Sequence, residues 1–255
     1  MNVYAIINQK GGVGKTTVSV NFAYGLACSG KRVLLIDADP QGHSSDPYLS
    51  DQYEYEYTLS DALSSREFDT QLAIYPAYVN DQEVENLWLL PSNIGLALVA
   101  EQLASRHHRE KLLSKAINRV ADDFDEIVID CPPNLGVLAI NSVFAAEKFI
   151  IPVRPDKRAL DGVSDLFLTI SEVKEGHKYE YCLLKNDVDT RNKQTNMYLD
   201  EELEAYSSRV MKSFIRRSEP INQAYISGKP VYLFDPKGNG SNDFDAVIEE
   251  ILEHA

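Results

Sequence analysis

The 255-residue chain holds three cysteines, Cys28, Cys131 and Cys182, an odd number without a C-x-x-C pair. That argues against a disulfide framework or a cysteine zinc site and leaves three reduced thiols, expected as small buried side chains. No apolar run approaches the roughly 20 residues that a membrane-spanning helix needs. The first strand, "VYAII", begins almost at Met1, with neither room nor charge pattern for a signal peptide. A cytosolic protein is the expectation. Cationic excess is missing as well: the formal net charge is −14, which disfavours broad attraction to nucleic acid or anionic lipid. A polyanion would need a local basic patch, and the candidate is "RVMKSFIRRSE", with Arg209, Lys212, Arg216 and Arg217.

What is present is a 44% hydrophobic chain, long enough for one domain with a substantial core, so residues 1–255 are read as a single domain. Short apolar runs alternate with helix-period stretches: "VYAII" then 16–29, "RVLLID", "LWLLP" then 96–121, "EIVID" then 136–146, "FIIPV" then 160–174, "EYCLL" then 197–206. This pattern predicts an α/β fold, a mostly parallel twisted sheet with helices on both faces. Ligands of such sheets sit at the carboxyl ends of strands. The polar, tyrosine-rich stretch 43–58 reads as a surface excursion, either a variable loop or a partner-binding surface. Trp88 is assigned to core packing, His43, His107 and His108 to non-metal roles, and Asn242 to the N-cap of an acidic C-terminal helix. The acid excess of that helix argues against membrane attachment.

The chemistry concentrates at three strand ends. In "NQKGGVGKTT", Gly11, Gly12 and Gly14 allow a tight turn close to phosphate oxygens, Val13 lies within that turn, and the N–H groups of Gly14, Lys15, Thr16 and Thr17 open a helix whose N-terminus favours anions. The Lys15 ammonium is expected on the β- and γ-phosphates of a nucleotide, and the Thr16 hydroxyl on Mg2+. Gln9 stands where the usual motif has its first glycine, and Lys10 adds a second lysine. Asp130, at the end of "EIVID", suits the Mg2+ hydration shell. Asp37 and Asp39 in "LIDADPQG" alternate along a strand end, so both can face one side unless Pro40 redirects the second.

Together "KGGVGKTT", "DADPQG" and "IDCPP" resemble the deviant Walker A P-loop ATPases of the ParA/MinD family, and within it the Soj-like ParA proteins. The resemblance continues through "LLPSNIGLALVAEQLASR", "FIIPVRPDKRALDGV" and "SGKPVYLFDPKGNG". It implies ATP and Mg2+ as cofactors, with Lys10 crossing to the nucleotide of the other subunit in an ATP-sandwich homodimer. It further implies that Asp39 positions the attacking water and contributes to the metal site with Thr16 and Asp130, and that Asp37 belongs to the same switch segment. Asn186 and Asp187 fall where the family often contacts adenine.

For function, the resemblance implies ATP-dependent dimerisation, non-specific DNA binding by the dimer, and slow hydrolysis stimulated by a ParB-like centromere-binding adaptor. The protein would be cytoplasmic, nucleoid-associated when ATP-bound, and would act in plasmid or chromosome segregation. The missing extension before "VYAII" implies no helix-turn-helix domain. Three positions depart from the family: Arg216 replaces a proline near the adenine, Pro220 a basic DNA-contacting residue, and Gln223 a glutamate. Arg216 and Arg217 are the candidates to restore DNA contact. Alternatives on the same scaffold are placement of another cargo (chemotaxis, conjugation or cellulose-synthase complex) and MinD-like membrane positioning. A small-molecule kinase would keep the glycine that Gln9 replaces, and a nitrogenase-type iron protein would need cluster cysteines that the lone Cys131 does not supply.

Overall fold

The structure is a computed structural model that describes residues 1–156 and 159–253. Lys157 and Arg158 of the family-like stretch after "FIIPV", and the last two residues of the C-terminal helix stretch, lie outside the described residues. Eight strands form one sheet in the order β3-β4-β2-β5-β1-β6-β7-β8. They are β1 (Asn2–Ile6), β2 (Val33–Asp37), β3 (Tyr75–Val79), β4 (Gln82–Leu90), β5 (Glu126–Asp130), β6 (Lys148–Val153), β7 (Glu180–Val188) and β8 (Val210–Arg216). All neighbours pair parallel except β3 with β4, an antiparallel hairpin at one edge.

The apolar runs are continuous rather than alternating because the central strands are covered on both sides. Val3, Ala5 and Ile7 face one core, and Tyr4 and Ile6 the other. The first core is roofed by α2 (Leu59–Ser64), α3 (Gly95–Leu103), α4 (Leu112–Asn118), α5 (Val137–Ala145), α6 (Val163–Lys174) and α7 (Lys193–Glu202). The second lies beneath α1 (Lys15–Cys28), α8 (Glu219–Ile226), α9 (Val231–Phe234) and α10 (Asn239–Glu253). Trp88 packs edge-on against Phe124, ring centroids 5.6 Å apart, at the margin of the first core.

Several expectations change. The stretch 96–121 is two helices, because His108 adopts a left-handed backbone (φ 57°) in an exposed turn between them. The basic patch "RVMKSFIRRSE" is largely the edge strand β8, whose Met211 and Ile215 point into the core. Asn242 is no cap: α10 begins three residues earlier, and the Asn242 N–H already donates to Gly238 O at 3.1 Å. Of the three thiols, Cys131 alone is fully buried, Cys182 is half-buried and Cys28 is exposed.

The stretch 43–58 is not merely surface. Tyr48 is 0% exposed, sits in the second core, and its hydroxyl donates to Val20 O of α1 at 2.8 Å. A tyrosine so placed fastens the segment after β2 to the helix that follows the glycine-rich loop. Tyr48→Ala should therefore destabilise the fold by about 3–5 kcal/mol, read as a lowered denaturant midpoint; a midpoint within error of wild type would deny Tyr48 this role.

Candidate active site

β1, β2 and β5 are adjacent, so the segments leaving their carboxyl ends converge. β1 delivers the loop of residues 7–14. Gly12 (φ 73°) and Gly14 (φ 89°) take left-handed backbone that an L side chain rarely adopts. Gly14 is constrained twice, because a Cβ there would lie 2.2 Å from Asn186 Nδ2. A Cβ built on Gly11 or Gly12 would meet nothing within 4 Å, so that flank of the loop is bare backbone open to a ligand. The first helical bond of α1 runs from Val18 N to Gly14 O (2.9 Å), which leaves the N–H groups of Lys15, Thr16 and Thr17 without an acceptor one turn back. This is a phosphate-shaped anion cradle.

The loop is pinned from outside itself. Asn8 Nδ2 donates to Pro152 O of β6 (2.8 Å), while Asn8 Oδ1 accepts Lys10 N (2.9 Å). Asn186, 6% exposed at the end of β7, donates to Val13 O at 2.7 Å. Gln9, the residue in place of the usual glycine, lies against Gly162, where an added Cβ would come within 3.0 Å of Gln9 Oε1.

Two lysines leave this loop in different ways. Lys15 is 8% exposed and donates to Lys10 O at 3.3 Å. Burial pulls its ammonium below the usual range, opposed chiefly by the charge of Asp130. Lys10 instead forms an ion pair with Asp156, in the segment that follows β6.

Asp130 and Asp37 are register partners on β5 and β2, both almost wholly buried. Asp130 Oδ2 accepts Thr16 Oγ1 (2.9 Å) and Oδ1 accepts Ser19 Oγ (2.8 Å). Burial, and then the Asp37 charge beside it, push Asp130 up to about 7, against the pull of those two hydroxyls and of Lys15. Asp37 accepts the Asp39 N–H at 3.1 Å, the Ser44 and Ser45 N–H groups at 3.1 and 2.8 Å, and Ser45 Oγ at 2.8 Å. Asp37 and Asp39 therefore do not share a role: Asp37 anchors the turn, and the half-exposed Asp39 stands at its mouth, accepting Gln41 N at 3.0 Å. Paired buried carboxylates beside a bare anion cradle fit a cation bound with a polyphosphate. Among the described residues no group of three or more His, Cys, Asp or Glu side chains could hold a metal alone, so the other ligands of such a cation would be phosphate and water, as Mg2+ prefers.

The outer candidates are engaged within the chain. Asp187, with a left-handed backbone (φ 56°), binds Arg217 at 2.9 and 3.0 Å and Arg154 at 2.6 Å. Arg216 grips Asp243 of α10 through Nε (2.8 Å) and a terminal nitrogen (2.7 Å). Neither Arg216 nor Arg217 is an uncompensated surface cation, and the adenine-side candidate Asp187 is the hub of an arginine pair.

A family model described as an AAA domain (AAA_31) matches residues 1–183. The sporulation initiation inhibitor protein Soj of Bacillus subtilis (strain 168) is 33% identical, covering 98% of this chain and 97% of that protein. The chromosome partitioning protein ParA of Myxococcus xanthus (strain DK1622) is 32% identical over 98% of this chain and 88% of its own length. This chain belongs to the Soj-like ParA/MinD family of P-loop ATPases. Among solved structures, cobyrinic acid a,c-diamide synthase of Mycobacterium smegmatis, with bound ADP and magnesium, is similar at a TM-score of 0.83 and 29% identity, covering 100% of this chain and 95% of that one.

Within this ParA/MinD-type scaffold, sequence reasoning found the loop and both acidic strand ends but missed Ser19, Asn8 and Asp156. Ser19 carried a signal, since it sits three residues after Thr16 on the same face of α1. Asp156 carried none, because only the fold brings it to Lys10. Removing the buried amide of Asn186 leaves Val13 O without its donor; Asn186→Ala should weaken ATP binding by about tenfold, the scale of one lost buried hydrogen bond. Calorimetric titration with a non-hydrolysable ATP analogue checks this, and an unchanged affinity would remove Asn186 from loop support.

Proposed function

We propose that the protein is a partition ATPase that dimerises on ATP, binds DNA without sequence preference as the dimer, and is reset by slow ATP hydrolysis that a ParB-like adaptor stimulates. The observation that carries the reading is the division of labour between the two lysines: Lys15 is buried and donates to its own phosphate loop, and Lys10 is paired with Asp156, in the segment after β6. A cation held by a partner outside its own loop is placed to serve the phosphate of another molecule, and a second copy of the chain presents the same cradle at its own surface. The partition half of the reading rests on the relatives, which are named for sporulation control and chromosome partitioning.

In this reading the N–H groups of Lys15, Thr16 and Thr17 and the Lys15 ammonium hold the β- and γ-phosphates. Thr16, Asp130 and Asp39 are the residues that would hold Mg2+, which when bound supplies positive charge to the phosphate oxygens. Asp39, at the mouth of the turn that Asp37 anchors, orients the attacking water. Lys10 of the second subunit offsets charge developing on the transferred phosphoryl group. Its release from Asp156 is part of dimer formation, so ordinary ion-pair competition contributes to keeping the monomer inactive.

The DNA contact is where this chain differs from its family. Arg216 and Arg217 are paired with Asp243 and Asp187, so a phosphate backbone competes with, or shares, these guanidinium groups with the two carboxylates. Among the described residues no helix is long and apolar enough to cross a membrane, and the acidic character of α10 disfavours the membrane-positioning alternative.

Lys10→Ala should abolish ATP-dependent dimerisation or hydrolysis and leave nucleotide binding by the monomer intact, seen by sedimentation velocity and nucleotide titration; loss of monomer binding instead would place Lys10 in its own loop. Titration of unrelated duplex DNA with ATP, ADP or no nucleotide should give a signal confined to ATP that weakens as salt rises. Equal binding in all three states, or none in any, would refute the DNA part of the proposal.

A further inference from the structure

The backbone of Asp130 is fixed by the sheet: Ala38 N donates to Asp130 O at 3.0 Å, and Cys131 N to Ile6 O at 3.2 Å. Its carboxylate is not fixed that way. The terminal torsion of an aspartate is broad and roughly two-fold, so the direction of the group depends on what each oxygen accepts. Oδ2 accepts the Thr16 hydroxyl at 2.9 Å, and among the described residues the donor to Oδ1 is Ser19 Oγ at 2.8 Å.

The two hydroxyls differ in reach. Thr16 is half-buried at the start of α1, beside the cradle, whereas Ser19, nearly one turn further along the helix, is 0% exposed. A ligand in the cradle can meet Thr16 and cannot meet Ser19. The Ser19 hydroxyl has one proton for two acceptors, since Lys15 O lies 3.0 Å from its oxygen. The carboxylate is nearer and charged, so it is the stronger acceptor.

We propose that Ser19 is a positioning residue for metal binding: by holding one oxygen of Asp130 it keeps the other on Thr16, and so sets how strongly nucleotide binding depends on Mg2+. The inference rests on the nucleotide and Mg2+ reading of this site. Thr16 has a single hydroxyl proton, and giving it to Asp130 leaves lone pairs for a cation in the cradle. A helical threonine otherwise divides between two rotamers. Without Ser19, Oδ1 is a buried oxygen with no donor, beside the repelling charge of Asp37, and the carboxylate is free to turn off Thr16. Groups that orient a metal's ligands in this way commonly set its affinity by about 10–100-fold. Asn21 is the contrasting case on the same helix. Its buried amide donates to Thr17 O (2.8 Å) and accepts Val231 N (2.7 Å), which ties α1 to α9 without a bond to Asp130.

Calorimetric titration of a non-hydrolysable ATP analogue into the full chain, once with excess Mg2+ and once with EDTA, gives the gain in affinity due to the metal. Ser19→Ala should lose about tenfold or more of that gain and keep the wild-type affinity in EDTA. Ser19→Cys, whose thiol is a weak donor, should lose part of the gain, and it decides alone should the alanine variant not fold. Asn21→Ala should keep the wild-type gain, its lost bonds showing instead as a lowered denaturant midpoint. A Ser19 variant with the full wild-type gain, one whose affinity falls equally with and without Mg2+, or an Asn21→Ala protein that loses as much of the gain would overturn the proposal. A wild type that gains nothing from Mg2+ would overturn the metal reading beneath it, so the two failures are told apart.

Discussion

The carboxylate of Asp130 is buried where three segments meet, and burying a charge is costly unless other groups compensate it. Two hydroxyls from the first turns of α1 do part of that work, Thr16 on one oxygen and Ser19 on the other. They fix the rotation of α1 against β5 and therefore the direction in which the free N–H groups of the helix point. The neighbouring Asp37 charge works against Asp130 and helps to raise it to about 7. Asp37 is itself held by backbone and hydroxyl donors from residues 39–45. The site is thus a pair of buried carboxylates, both shifted upward by burial and Asp130 also by the Asp37 charge, held by donors beside a backbone cradle for an anion. In the proposed reading, a metal bound with a polyphosphate would compensate both halves at once.

This constraint explains why the loop, the turn after β2 and the end of β5 form one unit. The turn is tied to Asp37 from within and to α1 by Tyr48, whose hydroxyl reaches Val20 O. Asp39 lies in the part of the turn that is half-exposed, which in the proposed reading lets it meet what occupies the cradle. On the other side, Asn186 ties the loop to β7, and the next residue, Asp187, ties β7 to Arg154 and Arg217. In the proposed reading, Arg217 of the DNA-side segment is paired with the residue next to one that supports the phosphate loop.

The sheet and the nucleotide cradle were legible because their signals are local. Apolar runs such as "VLLI" and "EIVI" have few alternatives to buried parallel strands, and glycines at 11, 12 and 14 before Lys15 and Thr16 specify a backbone shape directly. Other features were hidden because they depend on partners distant in sequence. Tyr48 looks like a surface tyrosine until α1 is placed above it. Arg216 and Arg217 look like a basic patch until Asp243 and Asp187 arrive from other elements. β8 was obscured by its own edge position, where charged residues alternate with Met211 and Ile215. Lys10 was singled out by its sequence, but its ion pair with Asp156 required the turn after β6 to be in place.

The central claim is that Lys10 acts on a neighbour's nucleotide. Its most direct measurement is ATP hydrolysis by a mixture of two inactive variants, Lys10→Ala and Lys15→Ala. In a mixed dimer the Lys15→Ala subunit cannot hold its own triphosphate but still carries Lys10, and the Lys10→Ala subunit retains an intact cradle. The account predicts that the mixture hydrolyses ATP where neither variant alone does. A mixture no more active than its components, under conditions where mixed dimers form, would contradict it.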